Sequence, residues 1–186
     1  MQTVVLASQS PRRSQLLREL GIPFCVRPAR CGEQSAERDP EKLVCELSRR
    51  KAAAVQAAEG EIVVAADTVV CLDGEILGKP RDAQQAADML RRLSGRAHTV
   101  FTGVTVRRGG RVLTRAERTE VFFRPLPEGY IRRYVESGEP LDKAGAYGIQ
   151  GAGGAFVRRI EGDFYNVMGL PVCALCEMLE EIGAQA

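Results

Sequence analysis

Tryptophan is absent from this 186-residue chain, histidine occurs once, as His98, and Phe, Trp and Tyr together make up only 5% of it. A platform that stacks successive bases of a single nucleic-acid strand needs many aromatic faces, so that class is not expected. An excess of one charge sign is missing too: 26 Lys and Arg stand against 24 Asp and Glu, a formal +2. Binders of long polyanions carry a strongly basic surface, so any basic site here is local and no nucleic-acid partner is expected. Long apolar runs are also lacking. Ile62 to Ala66 and Val69 to Leu72, the nearest approach to one, are divided by Asp67 and Thr68, well short of the roughly 18 residues of a membrane span, so no membrane partner is expected. Near the start, apolar Val4 to Ala7 precedes Arg12 and Arg13, the reverse of a secretory leader, and export is not expected.

Six cysteines are an even number, but hydrophobic residues make up 45% of the chain and supply a core without a disulfide frame. They read as reduced thiols of a cytoplasmic protein. Cys173 and Cys176 form a C-x-x-C pair, yet no second pair or histidine cluster completes a zinc shell. Val172, Leu175, Cys176 and Leu179 fall at helical core spacing, so two buried thiols are expected there. His98 has no serine, cysteine or acid at an interpretable spacing, which makes it a structural histidine and leaves no acyl-transfer triad.

The length fits one domain, residues 1–186, with one core and no repeat, low-complexity tract or linker. Thr3 to Ala7 suits a buried strand. Ser10 as N-cap and Pro11 at the first position open a helix whose apolar face is Leu16, Leu17 and Leu20, ending at Gly21. Asp39 caps a second helix from about Pro40 to Ala58, with Leu43, Val44 and Leu47 on one face. Ile62 to Cys71 is a strand followed by an Asp73-Gly74 hairpin turn. Asp82 with Gln85 three residues on resembles a capping box for a helix carrying Ala86, Met89, Leu90 and Leu93. His98 to Val106 and Arg111 to Phe123 form a hairpin around Gly109-Gly110. A short helix, Pro127 to Ser137, turns Tyr130, Ile131 and Tyr134 inward. From Gly145 to Gly154 five of ten residues are glycine, a loop whose backbone approaches something closely; strand Ala155 to Ile160 and a terminal helix from Pro171 follow. The pattern predicts an α/β fold with a mixed, twisted sheet flanked by helices, in two lobes around a cleft.

Asp67 interrupts a strand that is otherwise apolar on both faces. Burying a lone carboxylate is costly, so this acid must pair with a cation, bind a metal, or carry a raised pKa suited to general-base work; a strand-end acid or a buried salt bridge would read the same way. Arg12 and Arg13 occupy the first turn of a helix, where the dipole already disfavours cations. A phosphate held between them explains both, and a solvated surface pair is the alternative. Gly74 to Pro80 is not a Walker A loop, since three residues separate its glycines and Pro80 stands where the metal-binding hydroxyl belongs. Lys79 points a charge at an anion or simply faces water. The Gly148 to Gly154 run likewise fails the dinucleotide pattern. A buried acid, several cations and a glycine loop favour a phosphate-bearing ligand. A triphosphate carries about four negative charges, which Arg12, Arg13, Lys51 and Lys79 offset locally.

Six blocks taken together, Leu6-Ala-Ser-Gln-Ser-Pro-Arg-Arg13, Ala65-Ala-Asp-Thr-Val-Val70, Gly74-Glu-Ile-Leu-Gly-Lys-Pro80, His98-Thr-Val-Phe-Thr-Gly-Val104, Asp142-Lys-Ala-Gly-Ala-Tyr-Gly-Ile-Gln-Gly151 and Asn166-Val-Met-Gly-Leu-Pro171, resemble the Maf family. The blocks span nearly the whole chain in order. The family is known as nucleoside triphosphate pyrophosphatases with a fold related to inosine triphosphate pyrophosphatases, first associated with inhibition of septum formation. The Ala-Tyr-Gly-Ile-Gln run at 146–150 looks like the branch acting on dTTP and UTP.

The resemblance implies Asp67 as proton acceptor and ties Arg12, Thr68 and Gln150 to substrate specificity. Glu33 matches an acidic position implicated in metal or water handling, and Ser8, Arg13, Lys51 and Lys79 match the polar and cationic lining of the cleft. Many members have Val-Asp-Glu where this chain has Cys31-Gly32-Glu33. The implied mechanism is hydrolysis between the α and β phosphates, with a divalent cation, Mg²⁺ or Mn²⁺, bridging Glu33, Asp67 and phosphate oxygens. Gln150 would read the O4 and N3–H edge shared by uracil and thymine, because an amide both donates and accepts. Small enzymes of this type often dimerise, so a homodimer is expected. The rival reading is a non-catalytic nucleotide sensor that regulates cell division.

Overall fold

The apolar run that opens the chain forms a strand, β1 (Val4–Leu6), every residue of it buried. Helix α1 (Pro11–Glu19) follows with proline at its start, where the absent N–H has no intrahelical partner to lose. Ser10 stands at the N-cap but its hydroxyl does not cap; instead the Ser8 Oγ accepts from the Ser10 N–H at 3.1 Å. Leu16 and Leu17 are buried as expected, whereas Leu20 is exposed, because it falls past the last helical turn. Strand β2 (Phe24–Val26) is too short to show a pattern. Helix α2 (Pro40–Ala54) begins at Asp39, whose Oδ1 accepts from the N–H groups of Glu41 and Lys42. It ends four residues before Ala58: Val55 is extended, and the Arg107 guanidinium takes the carbonyls of Ala52 and Val55, supplying the acceptor-rich helix end with a cation.

Strand β3 (Ile62–Leu72) and β4 (Glu75–Leu77) form the predicted hairpin. Helix α3 (Ala83–Leu93) is capped by Asp82, which accepts from Gln85 N at 2.7 Å. The return half of the capping box is shifted by one residue, since Gln85 Oε1 accepts from Arg81 N at 2.7 Å. The long strands β5 (Ala97–Arg108) and β6 (Arg111–Phe123) follow, then α4 (Glu128–Glu136). Ile131 and Tyr134 of α4 are buried, but Tyr130 is exposed and carries the guanidinium groups of Arg124 and Arg133 against its ring. The glycine-rich stretch folds into short 3-10 turns, the last of them Gly151–Phe156. That turn absorbs the first two residues of the expected strand, so β7 spans Val157–Glu161. Helices α5 (Phe164–Met168) and α6 (Val172–Glu181) close the chain. On α6 Leu175 and Leu179 are buried as the spacing predicts, but Cys173 is exposed and Cys176 only half-buried, because Ala174 and Met178 take the inner positions instead.

The computed structural model describes residues 3–184. Seven strands form one sheet in the order β2-β1-β3-β5-β6-β7, with β4 paired to β3. It is mixed: β1 runs parallel to β2 and β3, while β4 and β7 pair antiparallel with β3 and β6. The chain divides into two units. The first gathers the residues up to Asp67, Thr102–Glu117 and the residues from Gly169 on; the second comprises Thr68–Phe101 and Arg118–Met168. The first unit includes an apolar cluster of Val5, Ala7, Ala52, Val55, Val63 and Ala65. In the second, Leu90, Leu93, Phe123, Ile131 and Phe156 belong to one buried cluster, and His98, 3% exposed, lies edge-on to Phe123 of that cluster.

Candidate active site

Asp67 ends the first unit's share of β3, preceded by five residues, Ile62 to Ala66, that are fully buried, and is itself 8% exposed. Lys51 provides its partner. This residue stands in the last turn of α2, where the dipole favours a cation, and its Nζ donates to Asp67 Oδ1 at 2.5 Å. The same Nζ lies 2.6 Å from Glu33 Oε1. One ammonium thus holds a buried and an exposed carboxylate. Of the alternatives for Asp67, pairing with a cation is what the structure shows.

Glu33 comes from the irregular segment between β2 and α2. Arg50, one residue before Lys51, fixes it: its Nη1 donates to the carbonyls of Gly32 and Gln34 at 2.9 and 2.8 Å, one on each side of Glu33. The Arg50 Nη2 pairs with Glu46, which also accepts from the Ser35 hydroxyl. Sequence reasoning missed Arg50; its adjacency to Lys51 is the one signal that could have raised it.

Arg13, in the first turn of α1, is anchored at two points. Its Nε donates to the Gly169 carbonyl at 2.7 Å and its Nη1 to Ser8 Oγ at 3.2 Å. Burial lowers its pKa; the negative charges of Asp67 and Glu33 oppose that shift and the charge of Arg12 adds to it. A guanidinium remains protonated regardless, so a desolvated positive charge sits in the field of the two acids. Arg12, half-buried, stands beside it at the start of α1. The first unit therefore brings together Ser8, Arg12, Arg13, Glu33, Lys51 and Asp67.

The second unit carries the remaining residues. Thr68 follows Asp67 along β3 and is half-buried. Lys79 is exposed just after β4, and its neighbour Gly78 accepts from Gly145 N at 3.1 Å, tying the hairpin end to the glycine-rich stretch. Gln150 occupies the N-cap position of the Gly151–Phe156 turn and is half-buried. His98 is structural as expected: its Nε2 meets the Tyr147 hydroxyl at 2.7 Å, and its ring lies edge-on to Phe123 and Tyr147.

Glu33 and Asp67 each place a carboxylate oxygen against the Lys51 ammonium. Among the described residues no three His, Cys, Asp or Glu side chains cluster as a closed metal shell, and Gly32 adds no side-chain ligand. Such a pair does not suit a structural zinc site. It does suit a hard divalent ion that keeps several waters and takes its other ligands from phosphate. No helix among the described residues is long and apolar enough to cross a membrane.

A family model described as Maf-like protein matches residues 3–182. A protein of Symbiobacterium thermophilum named dTTP/UTP pyrophosphatase is 51% identical over 185 residues, covering 98% of this chain and 95% of its own length. One of an Anaeromyxobacter species with the same name is 53% identical over 186 residues, covering 97% and 89%. The solved structure of the Staphylococcus aureus Ham1 protein aligns with a TM-score of 0.46 and 12% identity, covering 66% of this chain and 72% of that one.

Proposed function

The chain belongs to the Maf family, and from that membership we propose that it is a nucleoside triphosphate pyrophosphatase, a hydrolase that acts on dTTP and UTP and releases the monophosphate and pyrophosphate. Modified pyrimidine nucleotides fall within the same reading. The observation that carries it is the buried Asp67 held by Lys51 beside Glu33. A site that only binds polyphosphate has no use for a buried acid, so the sensor reading is not favoured.

In the reaction a water attacks the α-phosphorus, the bond to the oxygen bridging the α- and β-phosphorus breaks, and pyrophosphate leaves with the electron pair. Asp67 accepts the proton that the water gives up. Lys51 holds that carboxylate in place through its hydrogen bond to Oδ1. Arg12 and Arg13 bind phosphate oxygens bidentately, with Arg13 held in place by Gly169 and Ser8, and Lys79 adds a further positive charge. Thr68 and Gln150 serve specificity, Gln150 by matching the O4 and N3–H edge of uracil and thymine. Glu33 and Asp67 would hold Mg²⁺ or Mn²⁺, which when bound lowers the pKa of a coordinated water and offsets phosphate charge. The cysteines of the described residues are all free thiols, which suits a reducing cytoplasm.

The test is pyrophosphate release over a panel of nucleoside triphosphates with Mg²⁺ or Mn²⁺, by wild type and by Asp67→Asn. Wild type is expected to prefer UTP and dTTP. The variant, in which Lys51 keeps Glu33 as a partner, should retain its fold by circular dichroism and lose on the order of 100-fold or more in turnover. Absence of wild-type release from either pyrimidine nucleotide refutes the activity, and a fully active Asp67→Asn refutes the base.

A further inference from the structure

Two side chains outside the catalytic cluster, bonded to each other, hold the two ends of one short loop. Tyr134 lies on the inner face of α4, 4% exposed, with its ring edge-on to Phe156 at 4.9 Å between centroids. A phenol hydroxyl buried among apolar residues needs partners, and it has two. It donates to Glu139 Oε1 at 2.9 Å and accepts from the Gly148 N–H at 3.2 Å. The other carboxylate oxygen, Glu139 Oε2, accepts from the Ala152 N–H at 3.3 Å. Gly148 and Ala152 are the second residues before and after Gln150.

Glu139 is fixed in turn. Its N–H donates to the Ser137 hydroxyl at 3.2 Å, and its carbonyl accepts from Lys143 Nζ at 2.5 Å. The ends of the loop close on each other so tightly that a Cβ on Gly153 would stand 2.4 Å from the Gly148 carbonyl oxygen and 2.7 Å from the Tyr134 hydroxyl. Only glycine is compatible with that approach. Burial pushes the Tyr134 phenol above its ordinary pKa, so it stays a donor at neutral pH. At the tip Gln150 is half-buried, and its side-chain amide makes no hydrogen bond among the described residues. The backbone around the amide is pinned while the amide itself is left for a ligand. A recognition group held this way loses little freedom on binding, and small misplacements of it are costly.

We infer that Tyr134 and Glu139 are a positioning pair for nucleotide selectivity: they hold the Gly148–Ala152 loop so that the Gln150 amide meets a base presenting an adjacent carbonyl and N–H, and rejects one with the pattern reversed. The inference rests on the reading of Gln150 as the base-reading residue. CTP is the sharpest competitor, because cytosine matches uracil in size but presents an amino donor and a ring-nitrogen acceptor at the same edge.

The experiment measures kcat and KM for UTP and CTP in wild type, Tyr134→Phe, Glu139→Gln, Gln150→Ala and the double variant Tyr134→Phe/Gln150→Ala. Tyr134→Phe keeps the ring and removes the hydroxyl. Glu139→Gln keeps the volume, but its single carbonyl oxygen cannot serve both the Tyr134 hydroxyl and the Ala152 N–H as the carboxylate does. Each is expected to raise the KM for UTP about 10-fold, the loss of one well-placed polar contact, and to erode the UTP preference, with a smaller change in kcat. In the Gln150→Ala background Tyr134→Phe should add less than about 2-fold, since the pair then has no amide to place. If Gln150→Ala shifts selectivity but neither Tyr134→Phe nor Glu139→Gln does, or if their effects simply multiply, the inference is overturned while the base reading stands. If Gln150→Ala leaves selectivity unchanged, the base reading falls. Should Tyr134→Phe fail to fold, Glu139→Gln carries the same comparison.

Discussion

Asp67 and His98 are both titratable side chains in an apolar interior, and they meet the same penalty in opposite ways. Asp67 takes an ammonium partner, whereas His98 gives up its charge: burial lowers its pKa to about 4, and its Nδ1 has no hydrogen-bond partner among the described residues. An unfolded histidine titrates near 6.5, so the unfolded chain binds this proton first as pH falls. The neutral His98 therefore contributes its full stabilisation above about pH 6.5 and loses it progressively down to about pH 4, a total of about 3 kcal/mol. Urea unfolding at pH 7 and pH 5 should show the wild type losing stability over this interval, and His98→Gln, which retains a polar partner for Tyr147, losing distinctly less. Equal losses would place the acid sensitivity elsewhere. Asp67 was legible in the sequence because a lone acid in a valine-rich run breaks its own pattern. Arg50 was not, since its work is done on backbone carbonyls 16 and 18 positions away, and carbonyls leave no trace in residue identity.

Helix α2 carries Lys51, so whatever seats α2 also seats the partner of Asp67. Strand β5 approaches it at Gly103, where an added Cβ would lie 2.3 Å from the Val44 carbonyl oxygen and 2.8 Å from Cys45 N. Both atoms are backbone and cannot swing aside. Gly103→Ala should therefore displace α2 at a cost of roughly 2 kcal/mol or more and lower turnover beyond what the loss of folded protein explains, because Lys51 moves with its helix. A thermal midpoint and kcat equal to wild type would show that helix and strand separate freely. The elements that the sequence announced are those with a local signal: the Asp39 and Asp82 caps, Pro11 at the head of α1, and the Asp73-Gly74 turn. Those it concealed depend on distant chain. Helix α2 stops where Arg107 of β5 reaches it, β2 exists through pairing with β1, and Tyr130 faces outward under two arginines from different segments. The glycine-rich stretch was rightly read as close-packed, but the hydrogen bonds that shape it come from Tyr134 and Glu139, which composition does not mark.

For the molecule as a whole, the near balance of 26 cationic and 24 anionic residues is compatible with a strongly charged site because the charges there compensate each other. Lys51 already serves both acids that would hold a divalent ion, so the fold does not need that ion for its stability. A chelator is therefore expected to abolish pyrophosphate release, with Mg²⁺ or Mn²⁺ restoring it, while the thermal midpoint barely moves. Full activity in the chelator would remove the metal from the scheme, and a large fall in the midpoint would give it a structural role. The first unit also has an order of assembly written into it. Arg13 takes its backbone acceptor from Gly169, a partner 156 positions away, and by the time a ribosome adds Gly169 every residue of the second unit has already been joined to the nascent chain. The Arg13 guanidinium is thus synthesised ahead of the whole second unit and cannot be seated on its acceptor until that unit has been joined.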